Sequence, residues 1–163
     1  MASRDLFPEF RIRAMTQDDL DQVLEIEGQS FNSPWSENAF RHELQENFLA
    51  TYLVFEDINS NLQPTIFAYG GYWLIRTDAH ITNVAVSPNY RGLGAGKLVV
   101  EALLEHAKNR GANKATLEVR KTNTVAKKLY QALGFKIYGI RPNYYRDNNE
   151  DALIMYKSME NNH

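Results

Sequence analysis

The segment NVAVSPNYRGLGAGKLVVEAL, residues 83–103, constrains this chain more than any other. An apolar, strand-like run ends at Pro88. Arg91 follows, then three glycines one residue apart (Gly92, Gly94, Gly96), then Lys97 and an apolar stretch with helical spacing. A glycine turn that opens a helix presents unpaired backbone N–H groups and the positive end of the helix dipole. Glycine lacks a Cβ, so a ligand can approach that backbone closely. The combination suits an anion, phosphate above all. Arg91 and Lys97 add positive charge at its edges. On the glycines alone, a turn without a ligand is an equally good explanation.

Two common phosphate motifs fail. A P-loop aligned on Gly96-Lys97 would place Arg91 at its first glycine and Leu98 at its hydroxyl, so magnesium would lose a ligand. The dinucleotide fingerprint G-x-G-x-x-G, counted from Gly92, meets Lys97 at its third glycine. What remains is R-x-x-G-x-G: Arg91, Gly94 and Gly96.

The rest of the chain predicts short strands and helices with no repeat. A strand covers 10–15. Thr16 and Asp19 form a capping box for a first helix, whose buried stripe is Leu20, Val23, Leu24 and Ile26 and which ends near Phe31. FNSPW (31–35) breaks the pattern, and Ser36 caps a second helix to about Glu46. Strands follow at 49–55, 65–75 and 80–86. INSNLQP turns between the first two, and Gly70-Gly71 marks a bulge or bend in the second. A helix over 94–109 stops at Gly111, and one over 124–133 stops at Gly134. Strands are expected at 115–119, 135–140 and 152–156. RPNYYRDNNED (141–151) reads as an exposed loop. Hairpins followed by two strand–helix–strand units give an α/β or α+β sheet of mixed direction with helices on its faces. A length of 163 residues suits one domain with a real core.

Composition narrows the chemistry. A net charge of −2 disfavours nucleic acid as the main partner. With no cysteine, disulfides, thiolate metal sites and an acyl-cysteine intermediate are closed. His42, His80, His106 and His163 share no metal-ligand spacing, so no metal is expected. The N-terminus MASRDLFPEF lacks a secretory pattern, and no apolar run reaches the roughly 18 residues of a membrane span. A cytoplasmic location is the expectation.

The stretches LEVRKTNTVAKKLYQALGF (117–135) and RPNYYRDNNEDALIM (141–155), with the glycine loop and FNSPWSENAF (31–40), resemble the N-acetyltransferase (GNAT) superfamily. Within it they are similar to the RimI-like ribosomal-protein-alanine acetyltransferases, whose signature archaeal N-terminal acetyltransferases largely share. The resemblance implies a single domain over 1–163, with a mixed, mostly antiparallel sheet of about six or seven strands and about four helices. The core that binds acetyl-CoA would span about 81–156. It implies transfer of acetyl from acetyl-CoA to a protein's N-terminal amine, most narrowly the N-terminal alanine of a small-subunit ribosomal protein. The backbone of Val84, Ala85 and Val86 would pair with the pantetheine arm. Arg91, Gly92, Leu93, Gly94, Ala95, Gly96 and Lys97 would hold the diphosphate, with Asn123 near the cofactor. Glu118 would accept a proton, directly or through water, and Tyr130 would donate one. The 141–151 loop, with Tyr144 and Tyr145, would cover the peptide N-terminus.

The reaction itself asks for such groups. An attacking amine must be neutral, and an α-amine, with a pKa of about 7.7–8.0, meets that more readily than a lysine at about 10.4. A base must take the released proton, and the leaving thiolate then wants one, for which a phenol is a plausible donor. A backbone N–H, at Val84 or its neighbour, would stabilise the oxyanion. Direct attack in a ternary complex follows from the missing cysteine. Read from spacing alone, Glu118 is better explained as a solvated carboxylate paired with Arg120 or Lys121, and Tyr130 as a core aromatic beside Val125, Leu129 and Leu133. Trp35, Tyr72, Trp73, Tyr144 and Tyr145 either shape the amine site or pack. Glu150 and Asp151 either hold the amine or balance Arg141 and Arg146. Two other functions stay open: a GNAT enzyme for lysine or a small amine, and a non-catalytic acyl-CoA-binding module.

Overall fold

The computed structural model describes residues 9–59 and 64–160. Seven strands and four α-helices follow one another along them: β1 (Phe10–Ala14), α1 (Leu20–Ser30), α2 (Glu37–Gln45), β2 (Ala50–Asp57), β3 (Thr65–Ile75), β4 (Asp78–Val86), α3 (Ala95–Asn109), β5 (Lys114–Arg120), α4 (Thr124–Ala132), β6 (Lys136–Tyr145) and β7 (Glu150–Ser158). The strands form one sheet in the order β1-β2-β3-β4-β5-β7-β6. Every neighbouring pair is antiparallel except β4 and β5.

Capping fixes the helix ends. The Thr16 N–H donates to the Asp19 carboxylate at 2.7 Å, ahead of α1. The Ser36 hydroxyl accepts from the Ala39 N–H at 3.1 Å at the start of α2. Gly111 and Gly134, at φ +99° and +96°, end α3 and α4 in the left-handed conformation that L side chains resist. On one face of the sheet, α3 buries Val99, Val100, Leu103 and Ala107 against Phe55, Phe67, Ile81 and Leu117. On the other, α1 and α2 bury Val23, Ile26 and Phe40 against Tyr52, Val54 and Tyr69.

Two features of the sheet create the site. β3 and β4 carry a bulge that pairs Gly71 with Asn83 but Tyr72 with Ile81, leaving Thr82 extra. Side chains of β4 therefore change face at Thr82. The glycines expected to mark this bend are also places of close approach. A Cβ on Gly70 would stand 2.6 Å from Val99 Cγ1, and one on Gly71 2.2 Å from Tyr52 Cε1. The second feature is a splay. β4 and β5 pair only where residues 78–80 meet 114–116. Beyond His80, β4 has no strand on its β5 side.

One sequence expectation fails here. Residues 141–151 are mostly strand, not loop, because β6 runs to Tyr145 and β7 starts at Glu150. β6 is an edge strand, exposed at Ile137, Tyr138 and Ile140, so no buried face imposes an alternating pattern on its sequence. Its register slips between Arg141 and Tyr145, where Asn143 takes φ +55°. Most of the turn 58–64, the first residues of the chain and His163 lie outside the described residues.

Candidate active site

The splay opens into a cavity of about 620 Å³. Its walls come from the end of α1 and the following loop, β3, β4, β5, the start of α4 and the end of β6. Glu118, Tyr130, Asn123, Val84, Trp35, Tyr144 and Tyr145 all line it. Six of these seven residues lie on different elements or loops. Only the fold brings them together.

Glu118 sits on β5, where alternation turns Leu117 and Val119 into the α3-side core and Glu118 to the opposite face. Its carboxylate is 11% exposed. One oxygen lies 3.1 Å from His80 Nε2 and the other 3.3 Å from Arg141 Nε. Burial works to raise its pKa, but His80 and Arg141 outweigh it, and the carboxyl is held below its ordinary value. The expected pairing with Arg120 or Lys121 does not form. Arg120 instead binds Asp147 at 2.7 Å and Glu150 at 3.3 Å.

Tyr130 lies on α4, packed on Phe135 with ring centroids 5.7 Å apart. Burial, with a smaller contribution from Tyr145, pushes its phenol up to about 12, so it stays protonated near neutral pH. No described residue hydrogen-bonds its hydroxyl, which is therefore available to something in the cavity. Of the apolar row expected beside it, Leu129 and Leu133 pack on the core, but Val125 is 83% exposed. Asn123 spends its side-chain oxygen on the Ala126 N–H at 3.1 Å, capping α4.

The loop 91–97 lies outside the cavity wall, beyond the end of β4. Gly92 and Gly94 take φ +80° and +87°, and a Cβ at either would meet nothing within 4 Å. The first helical bond of α3 runs from the Leu98 N–H to the Gly94 carbonyl. Among the described residues, the six amides of 92–97 meet no acceptor. Unpaired amides at a helix N-terminus suit an anion. Arg91 is tied down rather than free. Its guanidinium donates to the Val86 carbonyl at 3.0 Å and the Ser30 hydroxyl at 3.1 Å, tying the loop to α1. Lys97 is exposed and only 3.9 Å from Glu101.

The far side of the cavity is aromatic. Trp35 both packs, 5.3 Å from Phe40, and lines the cavity. Its backbone N–H donates to Glu27, a buried carboxylate that also accepts from the Tyr69 hydroxyl. Tyr144 and Tyr145, adjacent on β6, both reach the cavity because the strand is irregular there. The Arg120 guanidinium stacks 4.0 Å from the Tyr145 ring. Trp73 joins them, but Tyr72 does not. It is buried on the α3 face with its hydroxyl 2.6 Å from His106 Nδ1. Glu150 is likewise structural: it accepts from the Thr122 N–H and hydroxyl, which bring its carboxyl down to about 2. Asp151 accepts from the Asn143 N–H.

The sequence did not reveal His80, Asn83 or Glu27 as cavity residues. His80 and Glu118 stand far apart in the chain and meet only through the parallel pairing of β4 with β5. Among the described residues no cluster of His, Asp and Glu could hold a metal, and no helix is long and apolar enough to cross a membrane.

Residues 20–135 match the Acetyltransferase (GNAT) family. A Bacillus subtilis (strain 168) protein, provisionally named a ribosomal protein bS18-alanine N-acetyltransferase, is 44% identical over 145 residues, covering 89% of this chain and 93% of that protein. The ribosomal protein bS18-alanine N-acetyltransferase of Escherichia coli K12 is 35% identical over 146 residues, covering 88% and 94%. A crystal structure of the Escherichia coli ribosomal-protein-S18-alanine N-acetyltransferase superimposes with a TM-score of 0.82 at 30% identity, covering 95% of this chain and 97% of that one.

Proposed function

The chain belongs to the acetyltransferase (GNAT) family, and from that premise we propose that it moves acetyl from acetyl-CoA to the N-terminal amine of a protein. The acceptor is the N-terminal alanine of ribosomal protein bS18, the substrate in the names of its relatives from two bacteria. The enzyme is one domain whose cofactor core spans about 81–156, and it works in the cytoplasm, where ribosomal proteins are made.

The observation that carries this reading is the convergence of Glu118, Tyr130 and the unpaired edge of β4 on one cavity. The six free amides of 92–97 take the diphosphate of acetyl-CoA, and the edge at Val84–Val86 takes its pantetheine arm as a strand would. That path leads toward the cavity between Glu118 and Tyr130. The amine enters from the aromatic side, past Trp35, Tyr144 and Tyr145. Glu118 accepts the amine's proton as nitrogen attacks. A backbone N–H at or beside Val84 steadies the oxyanion. A phenol at about 12 facing a thiol near about 8.5 holds its own proton, so Tyr130 donates a hydrogen bond to the departing sulfur rather than a free proton.

The test uses acetyl-CoA with three acceptors: a peptide beginning with the bS18 alanine, the same peptide N-terminally blocked but bearing lysine, and spermidine. Mass spectrometry should find acetyl on the alanine amine of the first alone. Acetylated spermidine or lysine with a bare alanine would overturn this acceptor.

A further inference from the structure

One wall of the cavity is held from behind by a buried carboxylate. Glu43 of α2 is 7% exposed, and three donors converge on it. One oxygen accepts from the Trp73 indole N–H and from the Tyr52 hydroxyl, both at 2.6 Å. The other accepts from the Asn47 side-chain amide at 2.7 Å. Tyr52 spends its phenol proton on Glu43, so the Thr82 hydroxyl, 3.3 Å away, donates to the phenol oxygen. Trp73 and Thr82 line the cavity, with Glu43 and Tyr52 behind them. An indole tied in this way keeps one orientation. Turning it aside would take a donor away from a buried carboxylate.

Strand pairing sets where that wall stands. Trp73 pairs with His80 across β3 and β4, and their ring centroids are 6.2 Å apart. His80 in turn reaches Glu118 on β5 at 3.1 Å. Glu118, His80 and Trp73 therefore form a row across three strands on one face of the sheet. With the acceptor's nitrogen at Glu118, its first Cα has two heavy groups left to place. The peptide chain leaves through the open side, past Tyr144 and Tyr145, to reach the rest of its protein. The first side chain then turns to the closed side, where Trp73 stands. We propose that Trp73, fixed by Glu43, is the wall that restricts the acceptor's first side chain to a small one. This rests on the acetyl-transfer reading of the same cavity.

A wall discriminates only if it does not yield. A methyl group fits in front of a fixed indole, whereas a leucine side chain presses on it. A rigid apolar pocket separates side chains one methylene apart by roughly 10–200-fold in kcat/KM. Glu43 is a positioning residue: it acts through Trp73 and does not touch the acceptor. Its donors come from β2, from β3 and from the residues that follow α2, so the indole is anchored in the core beneath α1 and α2.

The experiment has two readouts on the intact protein. In turnover, peptides sharing the bS18 sequence after a first alanine, valine or leucine are compared. The wild type should prefer alanine to leucine by about 100-fold in kcat/KM. Trp73→Val should raise the leucine-to-alanine ratio about 30-fold, with the acetyl-CoA KM within about twofold. Glu43→Leu, which leaves the indole untied, should raise it about fivefold, and Glu43→Gln, whose amide oxygen still accepts the indole N–H, should keep it within about twofold. A wild type that takes leucine as readily as alanine overturns the proposal, as does a Trp73→Val ratio within about threefold of the wild type. The second readout needs no turnover. The chain has two tryptophans, so Trp73→Phe assigns both indole N–H signals in a nitrogen–proton NMR spectrum. With CoA present, the alanine peptide should shift the wild-type Trp73 signal, and the same peptide with glycine first should shift it differently. An unmoved signal, or the same shift with glycine, also overturns the proposal. A wild type that shows the shift but acetylates no peptide sinks the acetyl-transfer reading and leaves the wall standing.

Discussion

At the scale of single residues, the proposed chemistry is tested most directly at Glu118. Glu118→Gln preserves the shape of the side chain and removes its ability to take a proton. Its kcat should fall by about 10³-fold. The dissociation constant for acetyl-CoA should stay within about twofold, because the loop 92–97, proposed to hold the diphosphate, is not touched. Steady-state CoA release and calorimetric binding check both halves. Unchanged turnover would remove Glu118 from the reaction. From their spacing alone Glu118 read as a solvated carboxylate and Tyr130 as a core aromatic, and only the family resemblance singled them out. It did not single out their partners. A strand's alternation says which face Glu118 takes, but not which strand lies beside it, so His80 and Arg141 were invisible until the pairing was known.

At the scale of elements, glycines show how one residue type answers different demands. Gly71 is crowded: its missing Cβ leaves room for the Tyr52 ring, whose hydroxyl donates to Glu43 at 2.6 Å and cannot easily give way. Gly71→Ala should destabilise the protein by about 3 kcal/mol, and the melting temperature should fall by roughly 9 °C. Gly94 has open space, but φ is +87°. Gly94→Ala should cost only about 1–2 kcal/mol of backbone strain. Its larger effect should be on acetyl-CoA, whose dissociation constant should rise about tenfold as the turn distorts. Thermal melts and a binding titration of the two variants should show opposite rankings. Helices capped by local side chains were read closely from sequence. The β6–β7 hairpin was read as loop, because an edge strand exposed on both faces carries no burial pattern to read.

At the scale of the whole molecule, Arg13 ties the first strand to the sheet and to α1. It donates to both oxygens of Asp19 at 2.7 Å and to Glu56 at 2.8 Å, and both carboxylates are nearly buried. The Arg13 hydrogen bond holds Glu56 below its ordinary value. At Asp19, burial opposes ionisation, but Arg13 and Thr16 overcome it. Carboxyls with depressed folded values stabilise above their unfolded values, near about pH 4, and lose that contribution as pH falls through the folded ones. Arg13→Ala should therefore cost about 2–3 kcal/mol at pH 7 and flatten the decline of stability below about pH 4. Urea denaturation at a series of pH values checks this, and equal acid sensitivity in the two proteins would contradict it. The sequence by itself determined the capped helices and the glycine turn that opens α3, because capping, periodicity and turn chemistry are set by neighbours in the chain, and its resemblance to known acetyltransferases pointed to the family. Only the tertiary structure decided that β4 and β5 part after His80, and which charges meet in the gap. Strand pairing joins residues that no local rule connects.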